Sequence, residues 1–562
     1  MKKRLYGLLT VSFILGLTAC GVGNSSDTNS QSSPAPPTAE TDAPSPDNEQ
    51  AAGEQGGTLV VGDVILDTQM AAINPFVPSN TAGGLLKMIY EKLLFFNSIT
   101  GELEPEFASG YEWSEDNMTL TYTINTDNVW HDGQPVSAQD VVFTYTALKN
   151  EPVLDRYMIM NKIDSITADG NKVIFELNQT FLSLPYYMTE IYIVPKHIWE
   201  NAESVSEELN TNPVGSGPFI YRGYNVGTDI QLDANKNYWR GAPKVDEMII
   251  QMYNSSPNLT LALLQGEIGA TMGTIAVANI PELKTKENFV LQLASGFNNF
   301  TIYINHENEL LRDINVRKAM SMAINQEDLI TKGEYNGVFP ASPGWMPEVF
   351  GDLQSEYANS AHVYDPQAAM ELLESAGYTK GTDGIYQKDG KRLSFTYHNA
   401  AGAPAQQMEA GMLQQWLLNI GIEIIPRLAT WPELTEILQR GEYDLLQNSG
   451  VFPPDPFGAM NTYFHSSMTA PVGEATPGTN YFRYRNDEVD RLLDEVSSVV
   501  DRAQQRELYV RIQDIIADDV VFLPMYNIGE RVPYYDGGRY AGWSGDAPIY
   551  STRGIIEVYE IK

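Results

Sequence analysis

Cys20 is the only cysteine in a chain of 562 residues. It stands behind Leu17-Thr18-Ala19, where small residues make a cleavable site and leave a thiol that can take a diacylglyceryl group. A single cysteine excludes an intramolecular disulfide and any CxxC metal or redox pair. The six histidines, His131, His197, His306, His362, His398 and His465, never come within 30 residues of one another. A metal or acid–base centre built on them would need distant segments, and no HExxH, P-loop, GxGxxG or GxSxG pattern is present. The chain therefore reads as a non-enzyme with no cofactor and no metal; a secreted hydrolase, its triad scattered along the chain, is the alternative from another class. With 36 basic against 72 acidic residues, it lacks the clustered cations that a phosphate backbone requires, so nucleic acid is excluded as a partner.

The residues ahead of Cys20 form an address. Lys2, Lys3 and Arg4 precede a mostly apolar run, Leu5 to Leu17, whose 13 residues fall short of the roughly 18–20 of a membrane span. With Cys20 the pattern resembles a bacterial lipobox. It predicts a signal peptide over 1–19 and a lipid-bearing Cys20 as the mature N-terminus. Residues 21–57 hold six acids, no bases and no aromatics. Such a segment cannot bury enough surface to offset its ordering entropy, so 20–57 reads as the lipidated cysteine and a disordered tether. Its 37 flexible residues would reach about 30–37 Å. The expected location is the outer face of the bacterial cell membrane.

The elements that must position any site begin near Thr58-Leu-Val-Val-Gly62, the first strand-like run. Ser137, with Asp140 three residues on, caps a helix running to Leu148. Ile163–Ala168 and Lys172–Leu177 flank Asp169-Gly170, a strong hairpin signal. In the second half, Leu393–Tyr397, Ile422–Ile425 and Tyr443–Gln447 read as strands. Helices over 404–420 and 432–440 separate them, closed by Gly421 and Gly441. This βαβαβ run predicts a mainly parallel sheet covered by helices, hence an α/β fold. A further helix starts at Asp365-Pro366, and Val489, Leu492, Leu493 and Val496 form the apolar stripe of another.

Longer motifs occur in a telling order. They are Trp113–Ile124, Trp130–Phe143, Pro213–Phe219, Asn237–Lys244, Gly266–Ile268, Asp313–Asn325, Gly421–Ile424, Gly441–Asp444 and Pro454-Asp-Pro456. From about 58 to 562 the chain resembles the extracellular solute-binding proteins of peptide-type ABC transporters, the family of oligopeptide-, dipeptide- and nickel-binding proteins. The resemblance implies a two-lobed, periplasmic-binding-protein-like clamshell with an additional domain inserted in the first lobe. One lobe would be 58–97, 216–299 and 525–562, the inserted domain 98–215, and the second lobe 300–524. Chain crossings near Asn298–Ile302 and Leu523–Tyr526 would act as a hinge, with the solute between the lobes. The implied partners are a small solute, the permease subunits and, through the lipid, the membrane; the implied state is a monomer.

In peptide-binding members, an aspartate three residues before the acid of the xDP segment pairs with the peptide's α-ammonium. Counting back from Asp455 gives Phe452, so that carboxylate is missing. Asp455 matches the structural position. Other members take cello-oligosaccharides, and Ile193–Trp199 leading into Asn210–Gly215 looks like that branch. Sugars need aromatic platforms and neutral hydrogen-bonding groups. Trp345, Trp431, Phe452, Tyr463, Asn298 and Asn299 could supply them, and Tyr526 lies at a crossing. The expected ligand set is thus Asn298, Asn299, Trp345, Trp431, Phe452, Asp455, Tyr463 and Tyr526. Peptide leads as the solute, because main-chain groups can read an extended backbone; cello-oligosaccharide is the alternative.

Overall fold

A computed structural model describes residues 56–77, 83–151, 154–155, 158–273, 275–401, 404–452, 456–499 and 501–561. The signal peptide, Cys20 and nearly all of the tether expected from the sequence lie outside the described residues, as does Asp455. One mixed sheet runs through the molecule. Its middle is an antiparallel pair of long strands, Phe289–Ile304 and Phe522–Tyr535. On one side, Thr58–Val64 lies parallel to Ala270-Thr271 and to Glu247–Tyr253, and Asp229–Ala234 and Phe219–Asn225 extend the sheet antiparallel. On the other side, Ser394–Ala400 lies parallel to both Glu423–Ala429 and Leu445–Val451.

The outcome is a two-lobed α/β fold. The register of the long pair breaks between Ala294 and Asn298, and there the two backbones nearly touch. A Cβ on Gly296 would come within 1.9 Å of the Ile528 carbonyl oxygen, and one on Gly529 within 1.9 Å of that of Ala294. No larger residue fits either place. Before the break, Phe289–Ala294 pairs only with Glu530–Tyr535 of the partner strand; after it, Asn298–Ile304 also pairs with Leu445–Val451. The crossing therefore joins two differently packed halves.

The βαβαβ reading of the second half agrees with helices Pro404–Asn419 and Trp431–Arg440. Thr430 and Glu433 form a capping box, and Gly441 closes the helix at φ 68°. The last strand runs over Leu445–Val451 instead of Tyr443–Gln447, because the Asp444 carboxylate accepts from the Thr396 N–H and hydroxyl and holds that residue out of the ladder. A separate antiparallel sheet is formed by Ala108–Trp113, Thr119–Ile124, Lys172–Leu177 and Ile163–Asp169. Helix Ala138–Asn150, capped by Ser137 and Asp140, packs on it. The two share one hydrophobic core with the first lobe. Among the described residues no helix is long and apolar enough to cross a membrane.

Candidate functional site

A cavity of about 890 Å³ opens between segments from both halves of the chain. This lies within the roughly 300–1,000 Å³ of small-molecule sites. One wall comes from residues 96–103 and 179–186, the other from 349–353, 456–457 and 496–509. The first wall is a hairpin, Leu94–Phe96 with Leu103–Pro105. Its turn is fixed by buried Asn97, whose Oδ1 accepts from the N–H groups of Ile99 (2.9 Å) and Thr100 (3.3 Å). Gly101, at φ 75°, comes so close to the opposite wall that a Cβ would lie 2.6 Å from the Val349 carbonyl oxygen.

The second wall hangs from the core. The buried amide of Gln513 donates to the Leu353 carbonyl oxygen (2.7 Å) and accepts from the Ser355 N–H (3.1 Å). Asn299 Nδ2 donates to the carbonyl oxygen of Trp345. Phe96 and Phe350 line the cavity, and a run of aromatic rings backs them. Phe96 packs on Phe297 at 5.1 Å, Phe297 on Phe350 at 5.7 Å, and Phe350 on Phe452 at 5.5 Å. Arg502 binds Asp352 at 2.7 Å within the second wall, an exposed pair of little energetic weight. Among the described residues no histidine or cysteine lines the cavity, and no group of three or more His, Cys, Asp or Glu side chains is placed to hold a metal. The arrangement can enclose a solute; it presents no paired nucleophile and base.

The residues expected from the sequence lie one layer deeper. Trp345 is fully buried, ringed by Tyr463 at 5.0 Å, Phe522 at 4.7 Å, Phe482 at 5.5 Å and Phe464 at 5.5 Å. Phe452, expected to face the cleft, is instead 2% exposed between Trp345 and Phe350, because the Glu348–Leu353 segment folds over it. Tyr463 belongs to the same aromatic core. Asn299 is buried with its Oδ1 unpaired, and Asn298 is half-buried in the ladder beside Val451 and Ile528. Trp431 starts a helix at the edge of the core. Tyr526 is buried, stacks on Phe300 and donates to Glu409 Oε1 at 2.8 Å. None of these seven lines the cavity in this conformation. Phe96, Lys162, Phe181, Phe350 and Arg502 do, and sequence reasoning missed them.

The long motifs meet elsewhere. Buried Glu91 accepts hydrogen bonds from Asn128 (2.8 Å), Ser216 (2.8 Å), Tyr238 (2.9 Å) and Trp239 (2.7 Å). Burial, with Glu106 nearby, pushes its carboxyl pKa up. His131 Nε2 bonds the Gly217 carbonyl oxygen at 3.0 Å while its Nδ1 accepts from the Gly215 N–H at 3.3 Å. Burial lowers its pKa to about 4, so the ring is neutral. Ser216, Gly217, Tyr238, Trp239 and His131 lie in three of the motifs, Trp130–Phe143, Pro213–Phe219 and Asn237–Lys244, which thus meet around Glu91 and away from the cavity lining.

Residues 102–470 match the family model described as bacterial extracellular solute-binding proteins, family 5 Middle. The chain belongs to that family. It is 28% identical over 561 residues to the oligopeptide-binding protein AppA of Bacillus subtilis, covering 94% of each chain. Among solved structures it is similar to a periplasmic oligopeptide-binding protein of Thermotoga maritima (TM-score 0.76, 24% identity, 90% of this chain and 99% of that one). The same Thermotoga protein with bound mannohexaose gives a TM-score of 0.67 at 24% identity, covering 90% of this chain and 98% of that one. The fold and the family are those of transport binding proteins, not of enzymes.

Proposed function

We propose that this extracellular solute-binding protein captures a peptide in the cavity between its lobes and hands it to the permease subunits of an ABC transporter. It acts as a monomer held at the outer face of the cell membrane by lipid on Cys20. The lobes are 58–97, 216–299 and 525–562 against 300–524, with 98–215 as the inserted domain. The observation that carries the reading is the cavity of about 890 Å³ whose walls come from distant parts of the chain. Closure of such walls buries a solute on all sides. The relation to an oligopeptide-binding protein along nearly the whole chain supports peptide as the solute. The missing carboxylate at Phe452 leaves an α-ammonium without the partner it has in other peptide binders, so the N-terminus sits in solvent or against another acid.

A neutral oligosaccharide is the second reading. It is favoured by the aromatic residues that line the cavity, Phe96, Phe181 and Phe350 among them, and by the mannohexaose complex of the Thermotoga protein. Mass spectrometry of solutes released from the purified protein tests both. Peptides support the proposal; oligosaccharides alone replace it with the second reading. A thermal-shift screen provides an independent readout, since ligand at 100 times Kd adds about 2.7 kcal/mol of stability.

A further inference from the structure

Among the described residues Lys162 is a cation without a counter-ion, in a chain that has twice as many acids as bases. It lines the cavity, no carboxylate lies within 4.0 Å of it among the described residues, and its ammonium sits 4.6 Å from the centre of the Phe181 ring. The other cavity-lining cation, Arg502, is already paired with Asp352.

The placement of Lys162 is built. It ends the short helix Ile159–Lys162 and leads into strand Ile163–Asp169. The returning strand, Lys172–Leu177, brings Asn178 back beside it. There the Asn178 N–H donates to the Lys162 carbonyl oxygen (3.0 Å), and its side-chain amide to that of Asn161 (2.8 Å). Phe181 follows three residues later, its ring packed at 5.4 Å on buried Tyr187. The hairpin thus holds cation and ring together at the cavity wall.

An ammonium removed from water without a partner is costly, and a ring face repays only part of that cost. Burial accordingly lowers the Lys162 pKa, with no neighbouring charge to offset it. Resting on the reading of the cavity as a peptide site, we infer that Lys162, seated on Phe181, binds a carboxylate of the solute and so selects peptides by their anionic group. The carboxylate is a C-terminus or an Asp or Glu side chain.

Three libraries of random peptides, three to nine residues long, separate the possibilities: free acids, C-terminal amides, and C-terminal amides without Asp or Glu. The full chain, Lys162→Gln and Lys162→Arg are each equilibrated with every library, and retained peptides are counted by mass spectrometry. Wild type should retain free acids at least tenfold over amides without Asp or Glu. Lys162→Gln should erase that preference with an unchanged melting temperature, and Lys162→Arg should keep it. Equal retention of amides with and without Asp or Glu assigns the C-terminus; selective retention of those containing Asp or Glu assigns the side chain. If wild type retains peptides with no preference for any carboxylate, or Lys162→Gln keeps the wild-type preference, the role of Lys162 is refuted while the peptide reading stands. If wild type retains no library, the peptide reading itself fails.

Discussion

Trp345 is expected to act as the anchor of the cavity wall and not as a surface for the solute. It is fully buried, and its backbone sits at φ 74°, a conformation a bulky side chain rarely adopts. The ring lies against Gly450, where a Cβ would fall 2.1 Å from its Cζ2, and its carbonyl oxygen holds Asn299. Five residues on, Phe350 lines the cavity. An indole burying 150–250 Å² at about 25 cal/mol per Å² stabilises the fold by about 4–6 kcal/mol. Trp-to-Ala changes in cores cost about 3–5 kcal/mol. Trp345→Ala should therefore lose at least about 3 kcal/mol in urea unfolding. Trp345→Phe should lose only about 1–2 kcal/mol, since it keeps an aromatic ring and removes an indole N–H that has no partner. Solute affinity of Trp345→Phe should stay within about threefold of wild type. A stability loss below 1 kcal/mol combined with a tenfold loss of affinity in Trp345→Phe would refute this and restore Trp345 as a ligand platform.

Glu91→Ala strands the donors of Asn128, Ser216, Tyr238 and Trp239. At about 1–3 kcal/mol per unpaired group it should cost at least about 3 kcal/mol, read by denaturant unfolding; a loss under 1 kcal/mol would show that the motifs do not depend on it. Burial depresses the pKa values of His131 to about 4 and His306 to about 3. Their contribution is present above the ordinary value of 6.5 and is lost as pH falls through those values, by up to about 1.4 kcal/mol per pH unit for each ring. His306→Gln should therefore flatten the pH dependence of stability below pH 6.5 relative to wild type, and parallel curves would contradict the assignment. Cys20→Ser should move the protein from the membrane to the soluble fraction, because the lipid contributes about 0.8 kcal/mol per buried CH₂; retention at the membrane would count against lipidation. Small-angle scattering should show a smaller radius with peptide bound, and an unchanged radius with binding confirmed would argue for a preformed closed cleft.

Local signals made much of the second lobe legible in the sequence. Helix Trp431–Arg440 is bounded by a capping box and a left-handed glycine, both written within a few residues of the ends they define. The hairpin at Asp169-Gly170 was equally local. The central strand pair was not, because it joins Phe289–Ile304 to residues more than 200 positions away, and no nearby pattern encodes that partnership. The site was the least legible part. Residue type marked Trp345, and counting back from Asp455 marked Phe452, but only the tertiary fold shows that the Glu348–Leu353 segment packs over Phe452 and puts Phe350 at the cavity wall instead. Lys162 and Phe181 belong to no motif; a hairpin brings them together. Conversely, the most recognisable motifs converge on Glu91, which is buried in the first lobe.

Hydrogen exchange on the full chain, with and without a peptide retained from the free-acid library, tests the central claim most directly. Enclosure between the lobes predicts that amides in 100–103, 179–183, 349–353 and 497–499 slow together on binding, since these segments form opposite walls of one cavity. Protection confined to a single lobe, or appearing only in segments remote from the cavity, would contradict it.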